Sequence, residues 1–243
     1  MACQGQEAPV AAPPTWRHVA LQAECVPTLP LSCGQDSGGW AISLVLRRDP
    51  LTDAPEWLSG HRYALTTFLE QLPVQLLIIE PPWDDTLFFP TDSGAQAHWQ
   101  QAFTQWLLED FIPFMRPYKV SYVAFGRGWK KAPGGNAFWC GLLRQLKEAA
   151  PALHWGFTSG SPTDIPCVRE WDFLGIDYQH FYPAQERSDY HAAWEAAQKP
   201  LMLIYPNLYE PDKEAALAER LRYWHTAPLA LVRYNDTPCV PCP

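Results

Sequence analysis

Residues 74–82 read VQLLIIEPP, a run of apolar and β-branched residues that ends in a glutamate and two prolines. An amphipathic stretch follows at residues 95–115, in which apolar residues recur with a spacing of about 3.6. A second strand-like run, VSYVAFGRG, occupies residues 120–128. A strand, a helix and a strand in this order predict a βαβ unit whose two strands are parallel.

The same alternation continues on both sides of this unit. Six further runs have the length and composition of strands: RHVALQAEC (17–25), WAISLVLRR (40–48), LHWGFTSG (153–160), DFLGIDYQ (172–179), PLMLIYPNL (200–208) and LALVRYND (229–236). Further helical patterns occupy residues 57–71, 136–150, 188–198 and 211–223. Eight strands that alternate with helices predict an α/β protein, a (β/α)8 or TIM barrel whose first and last helices are short or absent.

A doubly wound open sheet is the alternative fold for this pattern. That fold requires a glycine-rich phosphate-binding turn after its first strand, and the sequence there is Glu24-Cys25-Val26-Pro27. We therefore expect a barrel, formed by residues 16–237. Residues 1–15 are predicted to be a flexible tether rich in Ala, Pro and Gln, and residues 238–243 a tail of Cys and Pro.

The composition excludes several classes of function. The chain has 243 residues and a formal net charge of −8, and no basic patch stands out, so nucleic acid is not an expected partner. No apolar run reaches the roughly 18 residues that a transmembrane helix needs. Aromatic residues make up 14% of the chain, and many lie beside turn residues, which favours a binding surface.

Seven cysteines and an unusual leader point to an exported protein. Cys25 and Cys33, and separately Cys239 and Cys242, are spaced for local disulfides in an oxidising compartment. The spacings do not fit a zinc site, and we expect no metal and no other cofactor. The leader MACQGQEAPVAAPP has neither the charged nor the apolar region of an intact signal peptide. Cys3 is predicted to carry a lipid tether in the periplasm or at the cell surface; the alternative is a free N-terminal cysteine.

Candidate binding residues follow the predicted strands. In (β/α)8 barrels the functional site lies at the C-terminal ends of the strands, which here are polar and aromatic. Aromatic rings stack on the apolar faces of sugars, while carboxylates, amides and guanidinium groups bind hydroxyls. A polysaccharide or oligosaccharide is therefore the expected ligand. The predicted substrate-binding residues are Glu80, Trp83, Arg127, Trp129, Trp155, Asp177, Tyr182, Tyr205 and Asn207.

Three segments between residues 99 and 209 carry a resemblance to a known family. Residues 99–129 read WQQAFTQWLLEDFIPFMRPYKVSYVAFGRGW, residues 171–177 read WDFLGID and precede Tyr182-Pro183, and residues 199–205 read KPLMLIY. These segments resemble the long helix and strand four, strand six and strand seven of the barrel glycoside hydrolases of clan A. They are most similar to the family 113 mannanases and related barrel domains.

The resemblance breaks down at the residues that catalysis needs. It implies two carboxylates about 5 to 5.5 Å apart, an acid/base after strand four and a nucleophile after strand seven. Gly128 and Tyr205 stand at those two positions. A glycine cannot protonate a leaving oxygen, so no catalytic residue is expected at either position. Because the barrel would have been built around these sites, glutamates restored there are expected to be tolerated.

Three functions remain open from the sequence. The first is a catalytically degenerate, glycoside-hydrolase-like barrel that binds a carbohydrate or serves a surface-polysaccharide system. The second is an active glycoside hydrolase that uses displaced carboxylates, Glu80 and Asp177, at the wider spacing of an inverting enzyme. The third is a protein-interaction scaffold.

Overall fold

Eight parallel strands close into a barrel in a computed structural model of the protein, which describes residues 13–21, 39–49, 55–57, 60–82, 88–126, 128–129, 132–177, 188–205 and 228–234. A short strand, β3, pairs antiparallel with the end of β2 outside the ring. The strands are β1 (Thr15–Leu21), β2 (Trp40–Arg48), β3 (Pro55–Trp57), β4 (Val74–Glu80), β5 (Tyr122–Phe125), β6 (His154–Ser159), β7 (Phe173–Asp177), β8 (Leu201–Tyr205) and β9 (Ala230–Tyr234).

The ring closes because β1 pairs in parallel with both β2 and β9. Following paired residues around the ring from Leu21 leads through Ile79, Phe157 and Leu201 and returns to β1 at Pro13, eight residues earlier. Eight strands with a stagger of eight residues define the TIM-barrel geometry. The predicted fold and all eight predicted strands are confirmed.

The helices pack on the outside of this ring. They are α1 (His61–Gln71), α2 (Ser93–Trp106), α3 (Ile112–Met115), α4 (Gly135–Ala149) and α5 (Ser188–Glu195). A π-helical turn, Leu107–Phe111, joins α2 to α3. Among the described residues, none of the helices is long and apolar enough to cross a membrane. Several predicted parts of the chain lie outside the described residues. They are the helix at 211–223, the two trimmed ends of the barrel, the tail and most of the leader.

The π-helical turn explains how β3, which the sequence did not predict, is held. The extra residue in this turn lets Trp106 and Phe111 both face Trp57 of β3, with ring centroids 5.5 and 6.1 Å away. The Trp57 indole N–H donates to the Asp110 carboxylate, which also accepts a hydrogen bond from Arg62 at 3.0 Å. The packing around Trp57 therefore adds to the antiparallel pairing with β2 in holding a strand of three residues.

Two layers of side chains divide the core. Residues that point outward from the strands pack under the helices, where the fully buried rings include Trp99, Phe103, Trp129, Trp139, Trp155 and Trp171. Residues that point inward fill the barrel, among them Trp16, Leu76, Ile78, Phe173, Met202 and Ile204. Successive residues of a strand alternate between these layers, so the phase of each strand decides which side chains enter the barrel.

A disulfide fastens the outer layer where a helix is missing. Cys140 of α4 is bonded to Cys167 in the connection between β6 and β7, with Cα atoms 5.6 Å apart. The sequence did not predict this pair. The two pairs that it did predict, Cys25 with Cys33 and Cys239 with Cys242, lie outside the described residues.

One imidazole is enclosed in the barrel. His18 of β1 is fully buried, and its Nε2 lies 2.7 Å from the Ser43 Oγ of β2. Burial disfavours the charged imidazolium and lowers the pKa of His18 from 6.5 to about 3. The unfolded chain therefore takes up a proton at a higher pH than the folded protein does. The stability that depends on neutral His18 is complete above pH 6.5 and is lost as the pH falls toward 3.

We predict that acid weakens the fold through His18. Between pH 6 and 4 the free energy of unfolding should fall by about 1.4 kcal/mol per pH unit more in the wild type than in a His18→Gln variant. Urea unfolding across this range measures the two slopes. A His98→Gln variant, which removes an imidazole from the exposed face of α2, is the control and should keep the wild-type slope. Equal slopes in the wild type and His18→Gln would contradict the prediction.

Candidate functional site

Five polar side chains enter the barrel toward the C-terminal ends of its strands. Each lies two residues beyond a position that faces the interior, so the alternation of its strand directs it inward. All five are buried, and two are carboxylates, Glu80 with 5% and Asp177 with 8% of its surface exposed. The five are His18, Ser43, Glu80, Thr158 and Asp177.

Glu80 reaches sideways over the neighbouring strand. It is the last residue of β4, and Gly126 follows the end of β5, where its N–H donates to the Ile79 carbonyl at 2.8 Å. A Cβ atom placed on Gly126 would lie 1.9 to 2.0 Å from the carboxyl carbon and both oxygens of Glu80. The carboxylate therefore fills the space that any other residue at position 126 would occupy.

Asp177 enters the same region from β7. Its strand is separated from β4 by β5 and β6. The register continues from Glu80 through Gly126 and Thr158 to Gly175, two residues before Asp177. With a stagger of eight residues over eight strands, paired residues lie one residue lower along the barrel axis at each successive strand. Gly175, three strands from Glu80, therefore lies about three residues lower than Glu80. Asp177, two residues beyond Gly175, lies about one residue lower than Glu80, or roughly 3 Å. The two carboxylates therefore face the mouth at nearly one level.

Three further polar side chains enter the interior among its apolar residues. Thr158 of β6 packs over Gly175, where an added Cβ would lie 2.6 Å from its methyl group. The His18–Ser43 pair lies on the opposite wall, on β1 and β2. Sequence reasoning singled out neither His18 nor Ser43. Their signal was available, because each is a polar residue two positions beyond an apolar residue or a glycine that faces the interior.

Two predicted binding residues belong to the outer layer. Trp129 is fully buried, its ring stacks on Phe103 at 4.6 Å, and its N–H donates to the Ile79 carbonyl at 2.7 Å. Trp155 is also fully buried and lies parallel to Phe125 at 6.1 Å. Both tryptophans therefore pack beneath the helices. Neither exposes a ring face to the expected stacking platform.

The two positions where the resemblance places glutamates differ in how far the structure describes them. Tyr205 is the last residue of β8. Gly128 follows β5 by three residues, and a Cβ added to it would lie 2.5 Å from the Pro81 Cγ. The expectation that a glutamate at 128 is tolerated is therefore wrong, because the rigid proline ring would have to move. Trp83, Arg127, Tyr182 and Asn207 lie outside the described residues.

No protein-family model matches this chain, and no curated protein matches it by sequence. Solved structures do match its fold. A GH113 β-1,4-mannanase complex aligns with a TM-score of 0.60 and 10% identity over 81% of this chain and 77% of the mannanase. A second GH113 β-1,4-mannanase structure aligns with a TM-score of 0.55 and 9% identity over 81% of this chain and 76% of its own.

A chitinase of another family has a similar fold. The GH18 chitinase ChiB from the chitin utilization locus of Flavobacterium johnsoniae aligns with a TM-score of 0.55 and 11% identity. The alignment covers 92% of this chain and 88% of the chitinase. At these identities the likeness concerns the fold. The chain has the (β/α)8 barrel fold of glycoside hydrolases such as the GH113 mannanases.

Proposed function

We propose that this protein binds a carbohydrate at the C-terminal mouth of its barrel. The observation that carries the proposal is the pair of buried carboxylates, Glu80 and Asp177, at one level of the mouth. Burying a carboxylate costs several kcal/mol unless hydrogen bonds or charges compensate it, so such groups mark functional sites more often than chance. Carboxylates at this position suit the hydroxyl groups of a sugar, which donate hydrogen bonds to them.

We propose further that the barrel is catalytically degenerate. Its sequence has Gly128 and Tyr205 where the resemblance to clan A places the two glutamates. The close approach of Pro81 to Gly128 supports this, since the barrel has closed the space beside that position. A pseudoenzyme that keeps the mouth and its hydrogen-bonding groups would bind a saccharide without cleaving it.

One observation favours an active hydrolase as the second candidate. The Glu80 carboxylate projects from β4 over the end of β5, the strand after which the resemblance places the acid/base. Together with Asp177, across two intervening strands, it would form a carboxylate pair on opposite sides of the mouth. An inverting mechanism needs such a pair about 6.5 to 9.5 Å apart, with room for a water molecule.

We also propose that the protein works outside the cytoplasm, as part of a surface-polysaccharide system. The Cys140–Cys167 disulfide supports this location, because disulfides persist in oxidising compartments. Acylation of Cys3 remains a prediction.

The binding proposal predicts that removing either carboxylate weakens sugar binding. Glu80→Gln and Asp177→Asn keep the shape of each side chain and remove its charge. Each should raise the Kd for the best-bound oligosaccharide by about tenfold or more, because a hydrogen bond to a charged group is lost. Titration calorimetry with manno-, gluco- and chito-oligosaccharides measures the Kd. Glu148→Gln, on the exposed face of α4, is the matched control and should bind like the wild type. Wild-type affinity in both mouth variants would contradict the proposal.

The position of Gly126 predicts that a substitution there also weakens sugar binding, by displacing Glu80. Gly126→Ala should force the Glu80 carboxylate out of its place, raise the Kd as Glu80→Gln does, and lower the free energy of unfolding by about 1–3 kcal/mol. In a Glu80→Ala background the same change should cost much less, because the overlap is gone. The control is Gly141→Ala in α4, where nothing lies within 4 Å of an added Cβ. Unaltered binding by Gly126→Ala would show that the position of the carboxylate does not matter.

A hydrolysis assay separates the two candidates. We expect no release of reducing ends from mannan, glucan or chitin-type substrates, because the acid/base and nucleophile positions carry Gly128 and Tyr205. Turnover that is abolished by Glu80→Gln and retained by Glu148→Gln would establish the active hydrolase instead. If the protein neither binds nor cleaves any saccharide tested, the protein-interaction scaffold is the hypothesis that remains.

A further inference from the structure

The connection between β6 and β7, residues 160–172, is here called the strap. A βα unit of the barrel would carry a helix at this point, and the strap has only the short 3-10 turn Pro162–Asp164. A segment without regular hydrogen bonding depends on its contacts with neighbouring elements to stay in place. The contacts that hold the strap therefore decide whether it remains closed.

Several contacts join the strap to α4. Cys167 is joined to Cys140 by the disulfide, and its N–H donates to the Asn136 Oδ1 at 2.9 Å. Lys147 donates to the Glu170 carbonyl and contacts the Asp172 carboxylate, both at 2.6 Å. The hydrogen bonds and the ion pair are partly exposed, so each contributes little free energy on its own. The disulfide is the strongest single fastening.

The strap covers a large apolar surface. Its Trp171 is fully buried and lies 5.9 Å from the ring of Trp139 in α4 and 5.5 Å from Phe157 in β6. Ile165 is buried beside them. If the strap left its place, these rings would be exposed to water while the strands beneath kept their own pairing.

The two ends of the disulfide differ in how they are held. Cys140 belongs to a helix whose Leu142, Leu143 and Leu146 are buried in the outer layer. Cys167 has a φ of 53°, in the left-handed region that costs free energy for a residue with a side chain. Both cysteines are half-buried, which leaves the bond close to solvent. The strained backbone therefore lies at the strap end of the bond, and the helix with the buried apolar face lies at the other end.

We propose that the Cys140–Cys167 disulfide is a thiol-reducible fastener that controls local opening of the strap in a barrel that stays folded. In the exchange, a thiolate of a dithiol reductant attacks one sulfur and forms a mixed disulfide, and its second thiol then displaces the other cysteine. Two electrons pass to the protein, both cysteines become thiols, and the reductant becomes a disulfide. The opened strap would present Trp171 and Ile165 and would loosen the chain that follows β6 and its mouth residue Thr158.

Native-state hydrogen exchange tests this, with the oxidised full-length chain compared before and after treatment with dithiothreitol. We expect amides in residues 161–171 to exchange roughly 100-fold faster after reduction, since cross-linking a loop of this size changes an opening equilibrium by about that factor. Amides of β4 and β5 should keep their protection. Faster exchange throughout the barrel would overturn the proposal by showing a global stabiliser, and unaltered exchange in the strap would overturn it as well.

A double variant isolates this bond from the other five cysteines. Cys140→Ser with Cys167→Ser should show the fast exchange of residues 161–171 without reductant, and dithiothreitol should add nothing. A further increase on reduction of this variant would assign the effect to another disulfide and overturn the proposal. If the variant does not fold, the wild-type comparison still decides, because it starts from folded protein. Neither readout depends on carbohydrate binding, so the proposed function can fail while this inference holds.

Discussion

The parallel pairing of β1 with both β2 and β9 closes the barrel, and this closure determines which side chains face its interior. Closing the ring with a stagger of eight residues fixes, for each strand, which alternate side chains point into the barrel and which point outward. One set of alternate residues then fills the barrel, and the other set packs under the helices. A slip of one residue in a strand would exchange its two sets, and in β4 or β7 it would place a carboxylate under the helices. The location of Glu80 and Asp177 is therefore a consequence of register.

The interior combines an apolar base with a polar mouth. At the N-terminal end Tyr122 contacts Trp16 and Phe173, with ring centroids 5.6 and 5.5 Å away. Toward the C-terminal end several inward positions are polar, whereas Ile204, the β8 partner of Asp177, is apolar. The polar positions give up the transfer free energy that apolar side chains would contribute, about 25 cal/mol for each Å² buried. The tightly packed aromatic layer beneath the helices offsets this loss, since it encloses six fully buried tryptophans, Trp194 among them.

The strands were predictable because their signal is local. All eight appear as short apolar runs, and β2 has its predicted bounds, residues 40–48. The three-residue β3 is too short for a pattern, and it depends on Trp57 packing against a turn about fifty residues away. The Cys140–Cys167 bond was not predictable for the same reason, since 27 residues separate its ends. Contacts between residues far apart in the chain form only when the barrel closes, and no short stretch of sequence predicts them.

The candidate site was predictable in part, and its errors have one cause. Glu80 and Asp177 were found by their position at the ends of strands. Trp129 and Trp155 were chosen on the same criterion, but their side chains pack in the outer layer, which closeness to a strand end does not reveal. Counting residues from an inward position separates the two groups: Glu80 lies two after Ile78, whereas Trp155 lies one before Gly156, whose added Cβ would meet Phe173 inside the barrel.

The contact between Glu80 and Gly126 shows how a barrel can supply a group from an unexpected strand. Neighbouring inward side chains compete for one space near the axis, so a long side chain on one strand requires a very small residue on the next. Here Gly126, directly after β5, leaves its space to the carboxylate of Glu80 on β4. A carboxylate can thus face the end of one strand while being encoded on another. A search for catalytic residues by position along the strand that usually carries them would miss such a group.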